Sequence, residues 1–349
     1  MDPPPNESPS RPLPRVTVIL PTYNRARFLP ESVGSVLRQT FSDLELIIVD
    51  DGSTDATGAL VRALSDDRVR YFVRPHRGLC ASLNFGMAQA RGEYIARLDS
   101  DDALVPEALR ILVAALDAHP AVGGVWAKAR VMSPDGHDLP RARGGPEHFP
   151  GDVLRSLVYD HCMCCSAMLV RRGCFERVGL YDEALTYSED WDMALRLARH
   201  VRLQFVDRFV TRVREHADSM SGLHSPQRSA FLATRTAPLD KLFRDPQVPA
   251  AVVAMRSTAY ANVYIFRGRM WMTTRNFGPA VREFVRAMRI SGRPVATAID
   301  IMWRAAAVQA LERSALGRRA LAAVEKIGRR RRARAAVVPG VRSDAALRT

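Results

Sequence analysis

Short apolar runs alternate with helical patterns through the first third of the chain. Val16 to Leu20 is an apolar run that predicts a strand, and a helix is expected near Glu31 to Arg38. Leu46 to Val49 is continuously apolar, as in a strand buried on both faces. A helix near Thr57 to Leu64, a strand at Val69 to Val73, a helix over about Leu79 to Ala90 and a strand at Tyr94 to Leu98 follow. Strands alternating with helices predict an α/β fold with a mainly parallel central sheet covered by helices. Val125 to Val131 reads as a further strand. Ser133 to Pro150 is rich in Pro, Gly and charge and reads as a long loop of the kind that binds ligands or closes over them. His161 to Val170 reads as a strand, Ser188 to Arg199 as a helix and Leu203 to Val213 as strand-like. Beyond Ser225 the pattern is helical. Val281, Phe284, Val285 and Met288 have the spacing of one helix face, and the helical pairs suggest a helical hairpin.

Composition refines this picture. The 349 residues are 47% hydrophobic, enough for a buried core. The opening 1–14 holds six prolines and no apolar run, so it reads as a disordered leader rather than a secretory signal. No run approaches the ~18 apolar residues of a spanning helix. The expected division is an α/β region over 15–224, a helical region over 225–311 and a basic, partly disordered tail over 312–349. The five cysteines are odd in number and four of them cluster, which fits a reducing cytoplasm better than a disulfide framework. Cys162 and Cys165 have zinc-ligand spacing but no second pair, so buried inert thiols are the expectation.

The net charge of +14 is unevenly spread: nine basic residues and one acidic residue lie between Arg313 and Arg334. Such a tail suits an anionic surface, either lipid headgroups or nucleic acid, or is simply solvated. With Trp271 and Trp303 it suggests peripheral contact with the inner face of a membrane.

Three polar clusters follow strands: Pro21-Thr22-Tyr23-Asn24, Asp50-Asp51-Gly52-Ser53 and Asp99-Ser100-Asp101-Asp102. Ligands of open α/β sheets bind outside the carboxyl ends of strands, so the three should converge on one crevice. Asp99 and Asp101 can share a divalent cation, Mn²⁺ or Mg²⁺, that bridges to substrate phosphates; an acidic helix start is the plainer reading. Asp50 and Asp51 can accept a hydrogen bond from a base N–H while Tyr23 offers a stacking face, or they simply form a turn. Glu189-Asp190-Trp191-Asp192 can favour a helix dipole or supply a general base. His216 can pack or bind a metal.

In this order, Val16-Thr17-Val18-Ile19-Leu20-Pro21-Thr22-Tyr23-Asn24, Val49-Asp50-Asp51-Gly52-Ser53-Thr54-Asp55, Leu98-Asp99-Ser100-Asp101-Asp102, Glu189-Asp190-Trp191-Asp192 and Arg214-Glu215-His216 resemble the family 2 glycosyltransferases, over roughly Arg15 to Ser221. The resemblance implies the GT-A nucleotide-sugar-binding fold and inverting transfer from a nucleotide sugar, a UDP-sugar above all, to a sugar or lipid-linked acceptor in bacterial cell-surface polysaccharide or glycolipid synthesis. It implies that Pro21, Tyr23 and Asp51 line the nucleoside pocket with Asp50 beside it. Asp99 and Asp101 would bind the metal, with His216 as a further ligand. Asp190 would be the catalytic base, supported by Glu189, and Arg25 and Arg77 are candidates for diphosphate contacts. One departure stands out: many relatives carry Arg just before the residue corresponding to Asn84, where this chain has Leu83.

A sugar nucleotidyltransferase would use a similar sheet and acidic ligands, but Pro21-Thr22-Tyr23-Asn24 stands where its Gly-rich phosphate loop would be. A nucleic-acid-binding role through the tail lacks any aromatic-basic reading module and is not expected.

Overall fold

The computed structural model describes residues 13–145, 151–161, 163–219, 225 and 227–291. Cys162, Trp303, the Arg313 to Arg334 stretch and most of the leader lie outside these residues. The described residues fall into two compact units, one within 1–145 and 163–222, the other within 146–162 and 223–349. The 15–224 region of the sequence reading is thus interrupted by a short segment that belongs with the helices.

The first unit is built on a nine-stranded sheet: β1 (Val16–Thr22), β2 (Leu44–Asp50), β3 (Val69–Val73), β4 (Tyr94–Arg97), β5 (Ala103–Leu104), β6 (Gly124–Met132), β7 (Asp138–Arg143), β8 (Met168–Arg171) and β9 (Leu203–Arg214). The order is β3-β2-β1-β4-β8-β6-β9-β5, with β7 paired to β6. β3, β2, β1 and β4 are mutually parallel, as is the β6–β9 pair; β5, β7 and β8 run antiparallel to their neighbours. β1 and β2 are buried along their whole length, which explains their apolar, β-branched composition. Glu45, a buried acid near the start of β2, is satisfied by Arg70 at 2.8 Å, the Thr17 hydroxyl at 2.7 Å and the Arg91 N–H at 2.8 Å. One side chain therefore ties three strands of the parallel core together.

Three local expectations are corrected. His161 to Val170 is not one strand: Cys165–Ala167 form a 3₁₀ turn and only Met168–Arg171 pair. Ser166 has other bonds to make there, because its hydroxyl donates to Asp102 and its carbonyl accepts from Thr211. The Ser133 to Pro150 loop contains β7, an exposed edge strand whose charges and Pro140 suit an edge. In the second unit the Arg256–Thr273 and Phe277–Ile290 helices pack as the hairpin the pattern suggested. The second helix's most buried residues are Ala280, Glu283 and Ala287; of the four positions the pattern marked, Phe284 packs on the partner helix and Val281 is exposed. Small residues let the axes approach, and Phe284 covers Gly268 so closely that a Cβ there would lie 2.3 Å from the ring.

Gly92, just before β4, is a tight point of the first unit. A Cβ there would sit 2.5 Å from the backbone nitrogen of Thr17, and backbone inside a sheet cannot move aside. Gly92→Ala is expected to destabilise the chain by about 1–3 kcal/mol, read as a lowered midpoint in urea denaturation.

Candidate active site

The turns after β1 and β2 are laced together. Asn24 takes a left-handed conformation, φ 51°, one that Asn tolerates better than most residues. Its side-chain oxygen accepts from the N–H groups of Thr54 and Asp55, and its own N–H donates to the Ser53 hydroxyl. Arg25 N–H donates to the Thr57 hydroxyl and Ala26 N–H to Asp55. Pro21 lies next to the end of β1, and Tyr23 projects half-exposed beyond it.

Asp50 and Asp51 are both buried, and both are engaged. Asp50 accepts from Ser53 N–H at 2.8 Å and from the Tyr71 hydroxyl at 2.5 Å. Asp51 accepts from Arg77 N–H and Gly78 N–H and meets His76 at 2.8 Å. Arg25 and Arg77 stand apart from this network by their side chains. Arg25 makes only a 3.4 Å contact with the carbonyl of Asn24, and the exposed Arg77 has a 3.5 Å contact with Glu183.

The second cluster lies at the end of β4, the strand next to β1. Arg97, the last residue of β4, is buried and spans two carboxylates: Nε–H donates to Asp99 at 2.8 Å and Nη1–H to Glu189 at 3.0 Å. Burial works against its charge, but Asp99, Cys165 and Glu189 outweigh that and hold it firmly protonated. Glu189 is pushed up by burial, drawn down by Arg97 and pushed up again by Asp190 and Asp99, to about 7. Its neighbour Asp190 is only partly buried, and one oxygen accepts the Trp191 N–H at 2.7 Å. Ser188, immediately before them, is left-handed with φ 62°. Such strain in a non-glycine residue costs of order 1–3 kcal/mol and is common at active sites.

Asp101 and His216 are 115 positions apart and meet at 2.9 Å. His216 Nδ1 accepts the Asp218 N–H, so Nε2 carries the proton and donates to Asp101. The ring is packed on Phe28. Arg214 places it: this buried guanidinium donates to the carbonyls of Asp101 and Pro134 and pairs with Glu31. Asp102 completes the scaffold by accepting from Ser166 Oγ–H and Arg214 N–H. Burial, with Asp101 and Asp99 nearby, raises its carboxyl well above the usual range.

The acidic side chains therefore gather as the sequence reading expects, with Asp101 and His216 adjacent and Asp99, Glu189 and Asp190 grouped around Arg97. Among the described residues no set of three His, Cys, Asp or Glu side chains is arranged to hold a metal ion. Asp99 is taken up by Arg97 and by the Cys165 thiol at 3.5 Å. The pair Asp101–His216 nonetheless fits a Mn²⁺ or Mg²⁺ ion, which typically takes one or two protein ligands and fills its remaining positions with phosphate oxygens and water. Ligation by His216 would require the other ring tautomer. Several carboxylates against one buried guanidinium also favour a cation. The thiols of Cys164 and Cys165 are pushed up by burial, Cys164 to about 12, which suits inert packing rather than metal binding.

Arg97 and His76 were missed by the sequence reading, and Asp102 was placed in a motif without a role of its own. Arg97 left a signal, a cation ending the otherwise apolar Tyr94-Ile95-Ala96 run. Leu83 now has a reason too: it is buried against Ile19 and Ile95 and lines a cavity shared with Arg97, Tyr181 and Asp190. A second cation there would be buried beside the first.

Residues 17–179 match glycosyl transferase family 2. This chain carries a family 2 glycosyltransferase domain. An uncharacterised glycosyltransferase of Rickettsia typhi is 27% identical over 67% of this chain and 74% of its own length. Some curated relatives of similar identity are much longer: the chain spans 35% of an uncharacterised glycosyltransferase of Rickettsia felis and 21% of a hyaluronan synthase of Pasteurella multocida. Among solved structures, TarS of S. aureus in complex with UDP-GlcNAc superposes with a TM-score of 0.52 at 17% identity, covering 80% of this chain and 92% of that one. A mannosyltransferase of Pyrobaculum calidifontis in complex with GDP-Man and Mn²⁺ gives 0.53 at 20% identity, covering 83% and 88%. At these identities the structures establish the GT-A-like fold of the glycosyltransferase domain. No helix among the described residues is long and apolar enough to cross a membrane.

Removing Arg97 should strand the buried Glu189 carboxylate and unpair the part-buried Asp99. Arg97→Met is expected to lower stability by about 3–5 kcal/mol, and adding Glu189→Gln should restore part of it, as read by urea denaturation. A raised carboxyl pKa stabilises the fold while the group is protonated. The Glu189 contribution is thus present below about 4.5 and lost as pH rises toward about 7. Denaturation at several pH values should show this decline in the wild type and a flatter profile in Glu189→Gln.

Proposed function

We propose that this chain is an inverting, metal-dependent glycosyltransferase. It moves a sugar from a nucleoside-diphosphate sugar, a UDP-sugar being the expected donor, to a hydroxyl of a sugar or lipid-linked acceptor in bacterial cell-surface polysaccharide or glycolipid synthesis. The observation that carries this reading is the adjacency of two clusters at the ends of neighbouring parallel strands. One is the set of hydrogen-bonded turns around Tyr23 and Asp51; the other is an acidic cluster in which Asp190 is only partly buried.

The chain's residues divide the work. Tyr23 stacks on the base and Asp51 accepts its N–H. Arg25 and Arg77, whose guanidinium groups have only long contacts, are in reserve for diphosphate oxygens. Asp190 accepts the proton of the acceptor hydroxyl as that oxygen attacks the anomeric carbon from the face opposite the diphosphate, so the configuration inverts. Glu189, held by Arg97, fixes the turn that presents Asp190. A Mn²⁺ or Mg²⁺ ion, when bound by Asp101 and His216 with Asp99 alongside, would neutralise charge on the leaving diphosphate. Contact of the basic tail with an anionic membrane surface remains part of the proposal; its residues lie outside those described.

Asp190→Asn is expected to keep donor binding and lose transfer by roughly two to four orders of magnitude, measured as sugar transferred against nucleotide affinity; undiminished turnover removes Asp190 from the role. Asp101→Ala should abolish the Mn²⁺-dependent part of nucleoside diphosphate affinity in calorimetry, and unchanged affinity would refute the metal assignment.

A further inference from the structure

The charge of the chain is divided at the helical hairpin. Residues 1–255 hold 31 Lys and Arg against 32 Asp and Glu, whereas residues 256–349 hold 20 against 5. The net charge of +14 therefore arises wholly from the Arg256–Thr273 and Phe277–Ile290 helices and the sequence after them. Within 256–291 there are seven arginines and a single acid, Glu283. That acid is buried, and its Oε1 is taken by Arg267 and Arg286, each at 3.0 Å. Arg275, Arg282 and Arg289 are exposed and pair with no acid among the described residues.

An apolar strip runs beside these cations. Phe277, Val281, Val285 and Met288 are spaced four, four and three positions apart, so they share one face of their helix. Phe277 is 52% exposed and Val281 56%, while Val285 and Met288 are part-exposed. Packing against the partner helix uses a different set, Ala280, Glu283, Phe284 and Ala287. Arg282, Arg286 and Arg289 occupy the face next to the strip. Where the two helices join, Trp271 and Met272 are part-exposed and Arg275 stands at the turn.

We propose that the 256–291 hairpin lies on an anionic lipid bilayer, with Phe277 and Val281 entering the headgroup boundary and Arg275, Arg282 and Arg289 meeting lipid phosphates. This goes beyond the contact assigned above to the tail, because it stands on described side chains and holds whether or not the tail takes part. Charge decides among the occupants of this face. A second copy would set arginine against arginine. Residues 292–349, with 13 basic and 4 acidic side chains, would do the same. An acidic surface complements it instead. A guanidinium pairs with phosphate through two N–H donors, and its stem covers apolar surface while its head stays wet. A dissolved polyanion such as RNA would satisfy the arginines and leave the strip in water; a bilayer takes up both.

The test is flotation of the full chain with vesicles of phosphatidylcholine, alone or with about one third phosphatidylglycerol. The wild type is expected to bind the anionic vesicles at least ~10-fold more tightly than the neutral ones, and less tightly as salt rises. Phe277→Ser combined with Val281→Ser should weaken that binding at least ~10-fold. Arg275→Gln, Arg282→Gln and Arg289→Gln together should do the same. These side chains are exposed, so both variants should keep the urea midpoint of the wild type, which shows that the fold is intact. A comparison variant changes Arg329 to Arg332 to Gln. Loss of binding in that variant alone, with both hairpin variants binding as the wild type does, overturns the inference and leaves the tail contact standing. Binding that ignores the Phe277 and Val281 changes, as for a polyanion held by charge alone, overturns it too. Failure of the wild type to bind anionic vesicles overturns both membrane contacts and leaves the glycosyl-transfer reading untouched.

Discussion

The active end of the first unit depends on one buried cation. Arg97 holds Asp99 on one side and Glu189 on the other, residues that belong to motifs some ninety positions apart. The buried Glu189 carboxylate could not stay ionised there alone, because an unpaired buried charge costs several kcal/mol. Arg97 thus does more than neutralise. It fixes the distance between the Asp99 turn and the start of the Glu189–His200 helix, and with it the place of Asp190. Asp102 and Arg214 do the same between the Asp101 turn and the end of β9, so that Asp101 and His216 meet.

Much of this was legible in the sequence. β3 occupies the residues its apolar pattern marks, and β1, β2, β4, β6 and β9 differ from the reading by a residue or two at their ends. Strands buried on both faces leave unbroken apolar runs, and turns at their ends leave Asp, Asn, Gly and Ser. The ordered motifs also named acids that lie close together in the fold, Asp99 and Glu189 on Arg97 and Asp101 beside His216. The roles of Arg97, Asp102 and His76 were not legible, because Glu189, Ser166, Arg214 and Tyr23, which they meet, are distant in sequence. The stretch before β8 misled for a related reason. Its residues are apolar enough for a strand, but the bonds that decide its shape run from Ser166 to Asp102 and Thr211. In the Phe277–Ile290 helix, size mattered more than hydrophobicity. Alanines at the contact stripe win over Val281 because a close approach of two axes rewards small side chains.

The two clusters differ in character. The wall around Tyr23 and Asp51 is made of turns that bond to one another through Asn24, Ser53 and Asp55. Turns tied to one another in this way have little conformational entropy left to lose on binding. The acidic cluster is charged beyond its own means of compensation, which makes it responsive to whatever cationic group enters.

Ser188 has a consequence for how this chain could change over time. A glycine there would adopt the left-handed turn without strain, so replacement should be easy on grounds of folding alone. The same freedom would let Glu189 and Asp190 wander. Stabilising substitutions at active sites tend to be traded against activity in this way, and a chain that retains serine at this point keeps its two acids aimed at the expense of a looser hold on the folded state.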